Sequence, residues 1–558
     1  MTGRIIVLKF GSSVLGNRTD LLNAVHEIYR WYRDGWRVVA IVSAIGKTTE
    51  TLLAEARELA VRSQPDATAE LLATGERHCA ALLGIALDRA GIRSSVVDPR
   101  EIGMTVAGSA LDSELVAVDC TRVTALLNEA AVLVVPGFFA YSTAGKLHLL
   151  GRGGSDLSAV YLAQALNARC RLIKDVDGVY ESDPAQAATS LRRFVTLGYA
   201  DALLRARQLI QPKAVHFIEQ HAAFVEVASM ASGYESSVGR HECNLVDATI
   251  KPPLSVLILG LGTVGRGVYQ RITATPGRFR VTGALVRDRA KHSADGVPAE
   301  LLHESIDELA KLNPDVVIDA LPGLQPSQSL VRYYLAHGVA VVTANKALIA
   351  TAGPDLLEIA AKAHTCILAS AAVGGSTPMI EALREAKQLG PVKSIAGVLN
   401  GTCNYVLDRC MDGLDFDAAV LSAQASGFAE ADPSEDLSGR DAGRKLQILA
   451  RLAFDREVDS LDIQSLDAAA VLAAKHSLRD GESLRMIGRA RLHDGVVVGQ
   501  IRLERLARDD GFAGIGEEWN RLAITLADGS EVAVTGRGAG RWPTTEAMIA
   551  DLLELSRR

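Results

Sequence analysis

Three glycine-bearing stretches in the first half of the chain carry residues suited to handling phosphate. Lys9 precedes Gly11-Ser12-Ser13 where a short apolar run ends. An ammonium beside unhindered backbone N–H groups and hydroxyls is what phosphate oxygens need, although a Gly-Ser turn alone also reads as a plain turn. It is not a GxxxxGK[ST] loop. The second stretch is Gly151-Arg152-Gly153-Gly154-Ser155-Asp156. Its glycines let backbone approach a polyphosphate, and Ser155 and Asp156 fall at the cap and first turn of the following helix. There an Asp orients Mg²⁺ or an attacking group, or simply finishes a capped βα turn. The third stretch runs Lys174-Asp175-Val176-Asp177-Gly178-Val179-Tyr180, then Ser182-Asp183-Pro184. Acids at the end of a strand lie at the sheet edge where ligands bind; the bland alternative is a hairpin with solvated acids.

The second half has a different chemistry. Gly260-Leu261-Gly262-Thr263-Val264-Gly265 follows an apolar strand and opens a helix. This is GxGxxG in the context it requires, with a pyrophosphate on a helix N-terminus. Arg287 lies 22 residues beyond Gly265 (287 − 265), where an NAD site would place an acid. Arg287 and Arg289 there favour the 2′-phosphate of NADP, while Asp288 between them leaves NAD possible. Thr343-Ala344-Asn345-Lys346 ends another strand. Farther on, Glu430 and Asp436 precede Asp441 and Lys445, which are i and i+4 and so share one helix face. Spacing alone makes the last two a surface ion pair. Beside carboxylates, however, a Lys can deliver a proton to a carbonyl oxygen that is receiving hydride.

These residues need an α/β frame to hold them. The 558 residues allow three or four domains, and 48% hydrophobic with 22% charged residues excludes a mainly disordered chain. With 59 Lys and Arg against 66 Asp and Glu, the net charge of −7 argues against nucleic-acid or acidic-membrane binding. Seven scattered Cys without CxxC spacing read as reduced thiols in a cytoplasmic protein. The sequence predicts no signal peptide, no membrane span and no metal-ligating His or Cys pattern. His78 and Cys403 read as structural. Strands are predicted over 37–43, 131–139 and 171–175 with a helix over 155–168 between the last two. In the second half strands are predicted at 254–259, 280–286, 315–320, 340–343 and 366–369. Helices follow near 415–427 and 438–454, then short strands near 484–492, 495–502 and 531–535, and a last helix over 543–556. The paired Pro252-Pro253 ends a polar stretch that reads as a linker over 236–253.

KFGSSV (9–14), VSAIGKTTETL (42–52), ATGER (73–77), GRGGSDLSA (151–159) and DVDGVYESDP (175–184) together resemble the amino-acid kinase family, and closely its aspartate kinase branch. The resemblance covers residues 4 to about 230. It implies a kinase domain over 1–235 that makes 4-phospho-L-aspartate from L-aspartate and MgATP. Lys9, Gly11, Ser12, Ser155, Asp177, Tyr180 and Asp183 would serve ATP, Ser43, Glu76 and Arg152 would serve aspartate, and Asp156 would support transfer. Where the family carries GAKVLHP this chain reads ARQLIQP (206–212), so the nucleotide-side lysine is Gln208; Arg207 and Lys213 are the candidates to compensate. Only 23 residues (231–253) separate the halves, too few for the ACT-type regulatory domains of relatives, so threonine or lysine feedback is expected to be missing.

GLGTVGRG (260–267), TANKA (343–347), NGTCNYVL (400–407), the long run 427–450 and GRGAGRWPT (536–544) resemble homoserine dehydrogenase. The resemblance implies a Rossmann domain over 254–383 completed by 540–558, and an α+β catalytic and dimerisation domain over 384–539. Lys346 and Lys445 would act on the aldehyde, with Glu430, Asp436 and Asp441 on the substrate's amino and hydroxyl groups. Thr343 and Asn345 would border the nicotinamide and Gly538 would close over the cofactor. The family's acid before its VGGG-like turn, associated with a monovalent cation, is Ser370 here. The fold class expected is α/β: an amino-acid kinase sandwich, then the Rossmann domain, then the α+β domain. The protein would then be a bifunctional enzyme of the threonine and methionine branch, NADP-dependent and a homodimer or higher oligomer. The rival reading keeps the dehydrogenase and makes residues 1–235 a non-catalytic ligand-binding module.

Overall fold

The computed structural model describes residues 4–59, 64–184, 191–248, 252–274, 277–309 and 311–557. They form two units, divided near residue 251. Among the described residues no helix is long and apolar enough to cross a membrane.

The first unit is built on a ten-stranded sheet whose middle is parallel. Ile5–Phe10 lies between Arg37–Val42 and Arg169–Lys174, flanked in turn by Val132–Pro136 and Val225–Ser229. The runs IIVLKF, RVVAIV and VLVVP are buried on both faces, which is why they lack polar alternation. The helices Asp20–Arg33, Pro65–Arg89, Gly154–Ala165 and Pro212–Gln220 belong to this unit. A four-stranded antiparallel and parallel sheet, with Thr105–Ser109 and Phe139–Ser142 at its centre, adds a second layer.

Two expectations need correction. The strand predicted over 131–139 is two strands, Val132–Pro136 and Phe139–Ser142, broken where Phe138 adopts φ +73°. The stretch predicted as a linker contains Ser236–Val238 and Asn244–Asp247, both in the large sheet. Its polar composition hid the first of these strands. Ser236 is fully buried because its hydroxyl donates to the Phe194 carbonyl and accepts the Val179 N–H at 2.7 Å.

The second unit begins with six parallel strands in the spatial order third, second, first, fourth, fifth, sixth, running from Leu302–His303 to Ile367–Leu368. The order reverses between Leu254–Leu259 and Val316–Asp319, and doubly wound sheets bind ligands at that crevice. A six-stranded mixed sheet follows, pairing Ser460–Ile463, Val496–Leu506, Ser483–His493, Val392–Val398, Trp519–Leu526 and Glu531–Arg537 in that order. The first, fourth and fifth of these were not predicted. Small and polar residues interrupt their pattern; Gly397 leaves no space for a Cβ beside the Arg521 carbonyl, and Asn520 is fully buried. A boundary at 384 would cut the helix Met379–Leu389, whose Met379, Leu383 and Ala386 are buried in the core of the mixed sheet. The last helix, Arg541–Arg557, packs on Thr263–Ala274. Gly267 admits Thr545 there, and a buried Arg271–Glu546 ion pair of 2.6 Å ties the two.

Candidate active sites

In the first unit, Lys9 and Asp156 meet at the carboxyl edge of the parallel sheet. The Lys9 ammonium is 2.8 Å from Asp156 Oδ1, and the two residues are 6% and 2% exposed. Gly11 makes this possible: a Cβ there would lie 2.7 Å from Lys9 Nζ and displace it from its partner. Gly153, at φ +81°, precedes the helix Gly154–Ala165 and leaves room for Gln211, whose N–H donates to Asp156 Oδ2 at 3.4 Å. Burial raises the Asp156 carboxyl, but Lys9 and Lys174 outweigh it and hold it below its ordinary range.

Glu76 sits on Pro65–Arg89, 3% exposed, and accepts the Ala44 N–H at 3.3 Å; its Oε2 has no partner. Burial pushes Glu76 up to about 7 against the opposing effects of that N–H and Lys9. An orphaned buried carboxylate oxygen is costly unless a ligand completes it. Ser43 is half-buried just after Arg37–Val42, beside Ala44. Ser12 and Arg152 are exposed on their loops, and Ser155 is buried in the first turn of its helix. Asp177 accepts the Tyr180 hydroxyl, while Asp183 is exposed beyond them. Gln208 and Arg207 are exposed. Lys213 gives its ammonium to Asp112 at 2.8 Å, the Leu150 carbonyl at 2.9 Å and the Ser113 carbonyl at 3.0 Å, so it ties down a strand and a loop. Sequence reasoning missed Lys174 as a site residue.

In the second unit, Asp441 is the meeting point. It accepts from Lys346 through one oxygen and lies 3.0 Å from Lys445 through the other. Lys445 also donates to the Leu399 carbonyl at 2.8 Å. Asn400, which caps Gly401–Met411, donates through Nδ2 to Asp441 at 2.9 Å and to Asp436 at 2.7 Å. The Thr402 hydroxyl donates to the Phe428 carbonyl at 2.7 Å and lies 3.3 Å from Asp436. Burial raises Asp441, yet Lys445 and Lys346 hold it far below the usual carboxylate range; Asp436 is raised by burial, with the Asp441 charge adding to it. Asn400 and Thr402 were not singled out from sequence as site residues; the signal was the NGTC run at a helix start. Cys403 is buried with its thiol pushed up by burial, which makes it unreactive. Glu430 is exposed on the loop before Asp436, and the structure does not bring its side chain into this cluster; its carbonyl accepts from Gln424.

At the dinucleotide crevice, Gly265 packs so closely that a Cβ would lie 1.9 Å from the Gly260 carbonyl oxygen, whereas a Cβ on Gly262 would meet nothing within 4 Å. The close pair seals strand to helix; the open one leaves space for a pyrophosphate at the N-terminus of Thr263–Ala274. Thr263 is exposed there and Val264 half-buried. Arg287 is exposed beyond Phe279–Leu285. Arg289 donates to the Ala299 carbonyl at 2.7 Å, and Asp288 caps Arg289–Ala294 by accepting the Lys291 N–H at 2.9 Å. Thr343 donates to the buried Asp319 at 2.8 Å and accepts the Asn345 N–H at 3.0 Å. Asn345 caps the helix Lys346–Lys362, so this chain of bonds sets where Lys346 starts. Gly538 is buried against Asn520 and Gly375, with exposed Ala539 and Gly540 following it. The Ser370 hydroxyl lies between the carboxylates of Asp551, at 2.8 Å, and Glu381, and its one proton serves either of them.

A doubly wound sheet opening on a glycine crevice, joined to two lysines held by the buried Asp441, defines a nicotinamide-dependent oxidoreductase. The homoserine dehydrogenase family model matches residues 378–553, its NAD binding domain matches 260–369, and the amino acid kinase family model matches 4–225. A homoserine dehydrogenase from Synechocystis sp. is 33% identical over 313 residues, 53% of this chain and 72% of that protein. One from Mycobacterium tuberculosis is 33% identical over 323 residues, 55% of this chain and 73% of the relative. Among solved structures, a homoserine dehydrogenase from Thiobacillus denitrificans is 30% identical over 55% of this chain and 73% of its own, with a TM-score of 0.49. The chain belongs to the homoserine dehydrogenase family and carries an amino-acid kinase domain ahead of its NAD-binding and catalytic domains.

Proposed function

We propose that the chain interconverts aspartate semialdehyde and L-homoserine with NADP(H) in its second unit and phosphorylates L-aspartate with MgATP in its first. The observation that carries the dehydrogenase reading is Asp441 holding two ammoniums. Bound NADPH supplies the hydride. Lys346, with its side chain 43% exposed, is the ammonium assigned to protonate the carbonyl oxygen. Lys445 has two of its donors taken by Asp441 and the Leu399 carbonyl, and it fixes Asp441 in place. Asp436 is assigned to the substrate's amino group. The residues suit the phosphorylated cofactor: Arg287 is exposed at the ribose position, and Asp288 has one carboxylate oxygen engaged in a helix cap. Self-association through the segment near 384–535 is part of the proposal, and light scattering tests it.

The kinase reading rests on Lys9 paired with Asp156 beside a helix N-terminus. Phosphoryl transfer is largely positioning and charge neutralisation, and these groups supply both. Glu76 is assigned to the substrate ammonium and Arg152 to its α-carboxylate. The β-carboxylate oxygen attacks the γ-phosphorus, giving 4-phospho-L-aspartate and ADP. The exposed Gln208 favours the rival, a kinase-like binding module. One experiment separates them: aspartate-dependent ADP release by the full chain, with Lys9→Ala and Asp156→Ala controls and homoserine oxidation in the same sample. Release lost in both variants supports the kinase. Homoserine oxidation without ADP release overturns it.

A further inference from the structure

The first unit buries a second lysine that its motifs leave without a task. Lys174 closes the strand Arg169–Lys174, next to the strand that carries Lys9. Its Nζ lies 3.3 and 3.4 Å from the two Asp156 oxygens, and the residue is 8% exposed. Lys9 holds the same carboxylate at 2.8 Å. Two buried ammoniums therefore share the Asp156 carboxylate, with the exposed Asp175 acting on Lys174 and Glu76 on Lys9 through space. The N-terminus of Gly154–Ala165 adds about half a positive charge close by. Two buried ammoniums crowded on one carboxylate repel each other, and an anion bound beside them relieves that cost. The cost is visible at Lys174 itself, which burial, and then Lys9, push down to about 8 although Asp156 opposes them.

Of the positions at and beside the missing nucleotide-side lysine, two offer no free charge and the third stands in the open. Gln208 has none, Arg207 is exposed, and Lys213 is spent on Asp112 and two carbonyls. We infer that Lys174 is the second phosphate-neutralising cation of this site, delivered by a strand of the sheet instead of the 206–212 segment. The inference rests on the kinase reading above. In the transfer, the bond from the γ-phosphorus to the β–γ bridging oxygen breaks as the bond to the aspartate oxygen forms. The bridging oxygen leaves on ADP. Lys174 keeps its proton throughout and offsets charge gathering on the phosphoryl oxygens.

Lys174→Met tests this in the full chain. It leaves the Lys9–Asp156 pair intact and no buried charge unpaired, so the unit is expected to fold. Circular dichroism melting checks that, and Lys174→Ser is measured in parallel. The expected result is a fall in kcat for ADP release of about 10²–10³-fold, with the KM for aspartate changed less than threefold. A charge-keeping Lys174→Arg is expected to retain at least tenfold more activity than Lys174→Met. A folded Lys174→Met or Lys174→Ser protein within threefold of the parent kcat overturns the inference. If the parent releases no ADP with aspartate, the kinase reading has failed, and MgATP binding by calorimetry decides on Lys174. A Kd at least tenfold weaker in Lys174→Met upholds its role on phosphate; an unchanged Kd overturns it.

Discussion

Asp441 and Lys445, one turn apart on the helix Arg440–Phe454, meet at 3.0 Å with side chains only 3% and 7% exposed. Such spacing is usually a solvated pair worth a few tenths of a kcal/mol. Here it is buried, and Asp441 is also the acceptor for Lys346. Asp441→Asn therefore leaves two lysines without their counter-charge. It is expected to lower homoserine oxidation at least 100-fold and to cost about 3–5 kcal/mol in urea unfolding. Lys445→Met leaves Asp441 paired with Lys346 and should be less destabilising. Equal losses in the two variants would contradict this account.

The arginines after the second strand of the dinucleotide sheet are not equivalent. Arg289 already donates to the Ala299 carbonyl, while Arg287 is exposed. Arg287→Ala is expected to raise the KM for NADP⁺ about tenfold or more and to leave that for NAD⁺ nearly unchanged. Arg289→Ala should act on both cofactors alike, through the loop. Steady-state kinetics with each cofactor decide the matter.

Two glycines of one motif should fail in different ways. Gly265→Ala would force a Cβ to 1.9 Å from the Gly260 carbonyl, so strand and helix must separate and Tm falls. Gly262→Ala enters open space, so Tm is expected to hold while NADP⁺ binding weakens. Calorimetric melting with and without NADP⁺ distinguishes them.

Glu76 makes the first unit's stability depend on pH. Its carboxyl titrates near 7 when folded and near 4.5 when exposed. Between those values the folded state binds more protons, so the stability contribution is full below pH 4.5 and lost as pH rises to about 7. The loss is about 3 kcal/mol once pH is well above 7. Glu76→Gln should remove this dependence and melt higher than the parent at pH 8. It should also raise the KM for aspartate, because the substrate ammonium requires the charged carboxylate. Melting curves across pH 4.5–8 that remain parallel for parent and variant would refute the assignment.

What could be read from the sequence was local. The turn at 11–13, the glycines at 151–154 and 260–265, and the Asp441–Lys445 spacing each declare their geometry within a few residues, because turns and helix starts are short-range structures. One strand of the kinase sheet was not legible: Ser236–Val238 looks like linker, since its buried Ser236 is satisfied only by the distant Phe194 carbonyl and Val179 N–H. The sequence by itself determined the two chemistries and which turns hold them. Tertiary structure alone decided that Lys174 joins Lys9 on Asp156, and that Asn400 bridges Asp436 and Asp441. The reason is physical. Parallel pairing of Arg169–Lys174 with Ile5–Phe10 brings together residues 165 apart (174 − 9), and no local pattern encodes such a register.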